Sequence, residues 1–373
     1  MLPTYPESTR RKLARNVLVN TLRARRGENL LIETWSATLD WAKSFVLEAR
    51  MLGARPLLIV EDEETLWKSV EEAPIANVGR IGSHEWAALK DADIHVYLYG
   101  PLDTAREEKL PKSFLARINA QDHEWFRLIE KCGVRSARFD LGRTNEAGAR
   151  NYGVALETWR RELVEGATVD PRTLQKDGAK VARPLRGGRE VVITHPNGTH
   201  LTLRLAGRAP RIEDGVVDDN DVRAGMLMSI VPSGVVSVTV DESVAEGTFV
   251  ANIPGVMFAQ GVETPLRPGS LEFKKGRVAS HSIGSAGDEF RRSFSRLGPG
   301  KERPGLLSIG LNPNISSIPL LFDQEKGVIT LAIGRNSHFG GETRTPRFTA
   351  YQSIRGATLT VDGDPLVDQG ELV

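Results

Sequence analysis

The 373-residue chain has a single cysteine, Cys132, no apolar run long enough to span a bilayer, and almost no net charge, with 49 basic residues against 48 acidic ones. Each shortage excludes something. One thiol can form neither an internal disulfide nor a cysteine-based zinc cluster, and it suits a reducing cytoplasm. Charges are scattered through MLPTYPESTRRKLARNVLVNTLRARRG, leaving no apolar stretch of signal-peptide length, and no later segment is long and apolar enough for a transmembrane helix. The expectation is a cytoplasmic protein, neither secreted nor membrane-inserted. A formal charge of +1 gives no global field favouring nucleic acid or an anionic membrane, so recognition has to be local. The N-terminal half also lacks a Gly-x-Gly-x-x-Gly motif, a P-loop and a nucleophile elbow, which argues against a nucleotide ligand.

What remains is an ordinary globular composition, 40% hydrophobic and 26% charged, in a chain long enough for two cores. Leu13, Val17, Leu18 and Leu22 recur at helical spacing between Ser8 and Arg26, predicting an amphipathic helix whose basic face is solvated surface. Short apolar runs then alternate with helical patterns: 29–32 with 39–52, 56–60 with 64–70, and 94–99 after 86–92. This β-α alternation predicts a mostly parallel sheet with covering helices. Helices follow over 111–120 and 123–131, then a strand near 137–140 and a long helix from Thr144 to about Glu165. After Arg183 the character changes. Residues 190–194 and 201–205 flank the turn HPNGTH, so Asn197-Gly198-Thr199, formally a glycosylation acceptor, reads as a hairpin turn. From Met226 strand-like runs and Gly/Pro turns dominate, interrupted by a helix over 288–297. The predicted fold class is therefore α/β. An N-terminal β-α domain occupies 1–180 and a β-rich, antiparallel domain 181–373, with the boundary in the Gly-, Pro- and charge-rich stretch 166–188.

Several C-terminal stretches, taken in order, carry a family cadence: GREVVITHPNGTHLTLRLAGR, VPSGVVSVTVDESVAEGTFV, SLEFKKGRV, LLSIGLNPNI, GVITLAIGRNSHFGG and LTVDG. Together they resemble the aminopeptidase T (aminopeptidase S) family of metallopeptidases and the related 2,5-dihydroxypyridine dioxygenases. The resemblance implies an active site in the C-terminal domain and a homodimer whose subunits help enclose each other's cavity. It also implies two divalent metals held by two Glu, two His and one Asp in the peptidases, or one ferrous iron held by two His and one Asp in the dioxygenases. Placed on this sequence, those ligands fall on Val235, on Leu306 and Leu307, near Thr330, and on Phe348 and Ala350. No His, Asp or Glu occurs in 232–240, 303–322, 327–337 or 343–361, and Val, Leu, Thr and Phe do not replace imidazole and carboxylate as ligands. The expectation is that no metal is bound in the family manner and that no cofactor is used.

Chemistry is then sought in the turn GRNSHFGGETR, where glycines permit close backbone approach to a ligand. His338 and Glu342, four residues apart, form the candidate acid/base pair. Arg335 and Arg344 flank the turn as candidate carboxylate clamps, and Asn336 and Asn312 could polarise a carbonyl. Beyond residue 205 the other histidine is His281, in VASHSIG, read as structural. In the N-terminal half, Trp35, Ser36, Glu61, Asp62, Gly100 and Pro101 follow strands, the place where open α/β sheets bind ligands, while Trp86, Trp125 and Phe126 read as core. The expected function is a metal-independent hydrolase or ring-opening enzyme acting on a small amide-like compound, without nucleic-acid or membrane partners. Two other readings stay open: a metallo-aminopeptidase with a relocated site built from His281, His338 and Glu342, and a non-catalytic dimeric ligand-binding member in which Val235, Leu306 and Phe348 together fill the old cavity.

Overall fold

The computed structural model describes residues 5–100, 103, 106, 110–260, 262–285, 288–316 and 320–373. Two compact units divide the chain, Met1–Pro171 with Gly215–Pro232, and Arg172–Asp214 with Ser233–Val373. The architecture is mixed α/β, as the sequence patterns imply, but the single cut near residue 180 is replaced by a chain that leaves the first unit and returns to it. The 166–188 stretch is no open linker. It contains the helix Pro171–Gly187, and Met228–Val231, within a run that reads as part of the β-rich half, is a parallel strand of the first unit.

That first unit is a five-stranded parallel sheet in the order Arg55–Glu61, Asn29–Trp35, Ile94–Leu98, Arg135–Phe139, Met228–Val231. Leu30, Leu31 and Ile32 are at most 1% exposed, in keeping with a parallel strand covered on both faces. Trp125, Leu128 and Ile129 of a 21-residue helix, Lys112–Cys132, pack with Leu31, Leu89 and Val134. The sequence reading splits this helix in two, yet the intervening residues include neither proline nor glycine to stop it. The opposite holds over 144–165, where Gly153 at φ +66° ends Glu146–Tyr152 and a new helix runs from Leu156 to Gly166. One polar chain crosses the sheet: His95 bonds Glu33 through Nε2 at 2.7 Å and Ser136 through Nδ1 at 2.8 Å. Ser136 is 1% exposed, so this Ser–His–Glu arrangement satisfies buried polar groups and offers no nucleophile to a substrate.

The second unit is built around the 16-residue strand Val235–Val250. Its first half pairs with Pro304–Gly310 and Arg211–Glu213, and its second half with Thr199–Leu205 and Ser270–Lys274, all antiparallel. Beyond Pro304–Gly310 the sheet continues through Ile329–Gly334, Phe348–Ile354, Ile253–Ala259 and Val262–Arg267. The predicted hairpin is Glu190–His195 with Thr199–Leu205, and Asn197 Oδ1 accepts from the Thr199 amide at 3.1 Å while Gly198 takes φ +100°.

Candidate functional site

Directly paired residues on adjacent antiparallel strands share a face, so the registers assign every side chain of this sheet. Val236, Val238, Leu307, Ile309, Leu331 and Ile333 form one face, apolar and buried. The other face carries a row of polar residues, Arg211, Ser237, Ser308, Thr330 and Ser353, one from each of five neighbouring strands. Its hydroxyls are buried too: Ser308, Thr330 and Ser353 are each 1% exposed. They satisfy one another, Ser237 Oγ to Ser308 Oγ at 2.8 Å and Thr330 Oγ1 to Ser353 Oγ at 2.7 Å. Thr239 Oγ1, on the same face, is buried with no partner among the described residues. Burying hydroxyls costs free energy unless they are paired, so a buried polar sheet face with an orphan atom points to a site rather than a core.

Titratable groups gather at this face. Glu213 and Val235 are paired, which sets Glu213 beside Arg211 on the strand Arg211–Glu213, and the Arg211 Nε lies 3.4 Å from Glu213 Oε1. Burial pushes the Glu213 carboxyl up, against the pull of Arg211. Asp323, in the turn Phe322–Gln324, is pushed up to about 7, first by burial and then by the Glu213 charge. Tyr351, on the same face through its pairing with Ala332, is raised by burial and by both carboxylates. His338 is lowered, by burial first and then by the guanidinium groups of Arg335 and Arg211, so it is neutral at pH 7. Arg211 also lies over the Phe339 ring, 5.5 Å from its centroid. Two carboxyls whose surroundings set them against each other form an arrangement that can accept and return a proton near neutrality.

The residues expected from the sequence are distributed as follows. His338 reaches this group, packed on Phe339 with centroids 4.6 Å apart. Glu342 turns elsewhere: its side chain is 84% exposed and ion-paired with Arg208 at 3.3 Å, and among the described residues no hydrogen bond joins it to His338. Asn336 is 1% exposed, and its amide nitrogen donates to Glu242 Oε1 at 2.8 Å and to the Gly305 carbonyl at 2.9 Å, while its oxygen accepts from the Thr343 amide. Both donors are thus engaged in ordering the turn. A methyl group on Gly341 would land inside the Asn336 carboxamide, which is why that position is glycine. Asn312 is fully buried and donates to the Ser233 carbonyl at 2.7 Å. Arg335 bonds Ser337 Oγ at 3.3 Å, and Arg344 is exposed. The hub of the turn is Glu242, which sequence reasoning passed over. Arg208 grips it bidentately at 2.8 and 3.0 Å, and the Glu342 amide donates to it at 2.8 Å.

The positions that the family resemblance assigns to metal ligands do not surround one point. Val235, Leu306 and Thr330 lie on the polar face, whereas Leu307, Phe348 and Ala350 lie on the apolar one. Tyr351 and Ser353 are the residues of the last strand that share Thr330's face. Phe348 packs against Phe290 and Phe294, so Val235, Leu306 and Phe348 do not fill a common cavity. His281 stands edge-on to the same two rings, 5.1 Å from each, apart from Glu342. Among the described residues no group of three or more His, Cys, Asp or Glu side chains is placed to hold a metal ion.

Glu213, Asp323, Tyr351 and Arg211 are the residues that sequence reasoning missed. Asp323 directly follows the carboxylate-free window 303–322, and Tyr351 lies inside 343–361, a window free of His, Asp and Glu. In the first unit, Trp35 packs onto Gly100 at the carboxyl edge of the sheet, and Pro101 lies outside the described residues. A cavity of about 500 Å³ beside it is lined by Ser36, Asp62, Glu63, Glu64, Trp67, Asp103 and Arg106. No helix among the described residues is long and apolar enough to cross a membrane.

Comparison with known proteins gives the fold. The chain is similar to the solved structure of AmpT from Thermus thermophilus, with a TM-score of 0.72 and 18% identity, over 98% of this chain and 99% of that one. It is also similar to 2,5-dihydroxypyridine dioxygenase from Pseudomonas putida, with a TM-score of 0.62 and 15% identity, over 99% of this chain and 98% of that one. No family profile matches the sequence. Among curated proteins, UDP-N-acetylmuramate–L-alanine ligase from Streptomyces coelicolor is 38% identical over 86 residues, 22% of this chain and 18% of the ligase. So small a share of the ligase says nothing of this chain's activity.

Proposed function

We propose that this chain is an enzyme on the aminopeptidase T scaffold that hydrolyses or hydrolytically opens a small amide-like compound without the family's metal ligands. One observation carries the reading: Asp323 and Glu213 stand together at a buried polar sheet face, with Asp323 held near the pH at which it can both take and give a proton. In this reading the ionised Asp323 accepts a proton from water as the oxygen attacks the carbonyl carbon. It then returns that proton to the leaving nitrogen as the C–N bond breaks, giving a carboxylic acid and an amine. Tyr351 and the neutral His338 donate hydrogen bonds to the oxygen on which charge develops. In this reading Asp323, rather than Glu342, is the proton-transferring carboxyl, and Glu342 serves the turn through Arg208. Asn336 and Asn312 shape the wall, and Arg335 and Arg344 attract an anionic group. A cytoplasmic homodimer without nucleic-acid or membrane partners belongs to the same reading.

The test is a screen of small amides and lactams with the purified full chain, followed by Asp323→Asn, Glu213→Gln and the double variant His338→Ala/Glu342→Ala. Loss of turnover by about a hundred-fold in Asp323→Asn is expected, with equal activity before and after chelation. Parental activity in Asp323→Asn refutes the assignment. Stoichiometric zinc, manganese or iron in protein purified without chelators, with activity that follows the metal, returns the chain to the relocated-site reading.

A further inference from the structure

Two arginines three residues apart serve the second unit in opposite ways. Arg208 is saturated, with both terminal nitrogens on Glu242 at 2.8 and 3.0 Å and a further bond to the Val240 carbonyl at 3.1 Å. Arg211 is not. Its Nε is buried, lies at 3.4 Å from Glu213 Oε1 outside hydrogen-bond geometry, and makes no hydrogen bond. Charge-assisted bonds of an engaged guanidinium run near 2.7–2.9 Å, so this pair is loose by comparison. The head group is nevertheless held in place by the Phe339 ring, 5.5 Å away. Thr239 Oγ1, two residues along from Ser237, the cross-strand partner of Arg211, is the second buried polar atom without a partner on this face. A fixed guanidinium with an unused buried donor, on the same sheet face as an unused hydroxyl, describes a receptor for a planar anion. The charge around it agrees: Arg335 lies near His338 along with Arg211, and the neighbouring carboxyls are raised, which lowers the negative charge that would repel an anion.

We propose that Arg211 is the substrate anchor, and that the compounds acted on are small acylamino or amide-bearing carboxylates whose carboxylate binds Arg211 while the amide faces Asp323. The inference rests on the proposed reading of this site and adds the substrate's second functional group. A carboxylate at Arg211 takes the place that Glu213 fills only loosely, and Thr239 Oγ1 gains the partner it lacks.

The experiment is titration calorimetry of the full chain at pH 7 with N-acetylglycine and N-benzoylglycine, each against its carboxamide, so that ligands of a pair differ only in the carboxylate. The acid of at least one pair should bind about ten-fold or more tightly than the amide. Arg211→Met should remove that preference and leave carboxamide binding unchanged. Equal binding within both pairs, absence of binding by all four ligands, or a preference that survives in Arg211→Met overturns the proposal. If Arg211→Met does not fold by circular dichroism, Arg211→Lys decides. Lysine keeps the charge without the planar fork, so the preference should fall at least three-fold, and an unchanged preference overturns the proposal. Asp323→Asn separates the two claims: it should keep the acid preference while losing turnover. Parental turnover in that variant would sink the proton-transfer reading and leave the anchor standing.

Discussion

Asp323→Asn should stabilise the protein above neutral pH. Asparagine has the shape of the protonated acid and no proton to lose. Asp323 is raised from an ordinary value of 3.8 to about 7, so the folded state holds a proton that the unfolded state has released. For an acid raised on folding, the penalty begins near the unfolded value, grows as pH rises, and is complete above the folded one. A rise of roughly three units at about 1.4 kcal/mol each sets a ceiling of about 4 kcal/mol. The side chain is only partly shielded from water, which brings the expectation to about 2–4 kcal/mol at pH 8. Urea denaturation of parent and variant between pH 4 and 8.5 measures it, taking the transition that shifts with the substitution because a chain of two units need not unfold in one step. The gain of the variant over the parent should be small at pH 4 and widen through pH 7. Parallel stability curves across that range, or an asparagine variant less stable than the parent at pH 8, refute the reasoning.

Other consequences concern the turn and the apolar face. Burial raises the Glu242 carboxyl, but hydrogen bonds from Arg208, the Glu342 amide and Asn336 outweigh it and hold the group below the usual range. Its stabilisation is therefore present above the ordinary carboxylate range and lost as pH falls through the folded value; Glu242→Gln should cost about 3 kcal/mol at pH 7 in urea titrations, with the deficit shrinking below pH 4. Gly341→Ala forces the buried Asn336 out of its bonds, and faster limited proteolysis within 335–344 should report the loosened turn. Phe348→Ala removes a 1%-exposed ring packed against the stacked pair Phe290 and Phe294 and should cost about 3–5 kcal/mol, read as a lowered urea midpoint with secondary structure retained at zero urea.

Much of the fold can be read in the sequence because its signals are local. NLLIETW is a near-continuous apolar run, HPNGTH states its own turn, and GVITLAIG and LLSIGLNP are strands ended by glycine or proline. The return of Met228–Val231 to the first sheet is not legible, since a four-residue apolar strand carries no mark of which sheet it joins. The site divides the same way. His338 could be found because glycines announce its turn, but the carboxyl pair of the polar face could not. Glu342 lies four residues on in sequence, whereas Asp323 and Glu213 come from distant segments that meet only through sheet pairing. Asn336 illustrates the converse error: a polar residue in a glycine-rich turn reads as a ligand contact, and burial shows both its donors spent on Glu242 and Gly305. Cross-strand register also separates Thr330 from Phe348 and Ala350, a distinction of faces that linear spacing cannot supply.

The most direct measurement is a carboxyl-carbon NMR titration of the chain labelled with ¹³C at aspartate, with Asp323→Asn used to assign the signal. The account predicts a carboxyl that titrates with a midpoint near 7 and vanishes in the variant. A midpoint for Asp323 at or below about 4, the ordinary aspartate range, would contradict it.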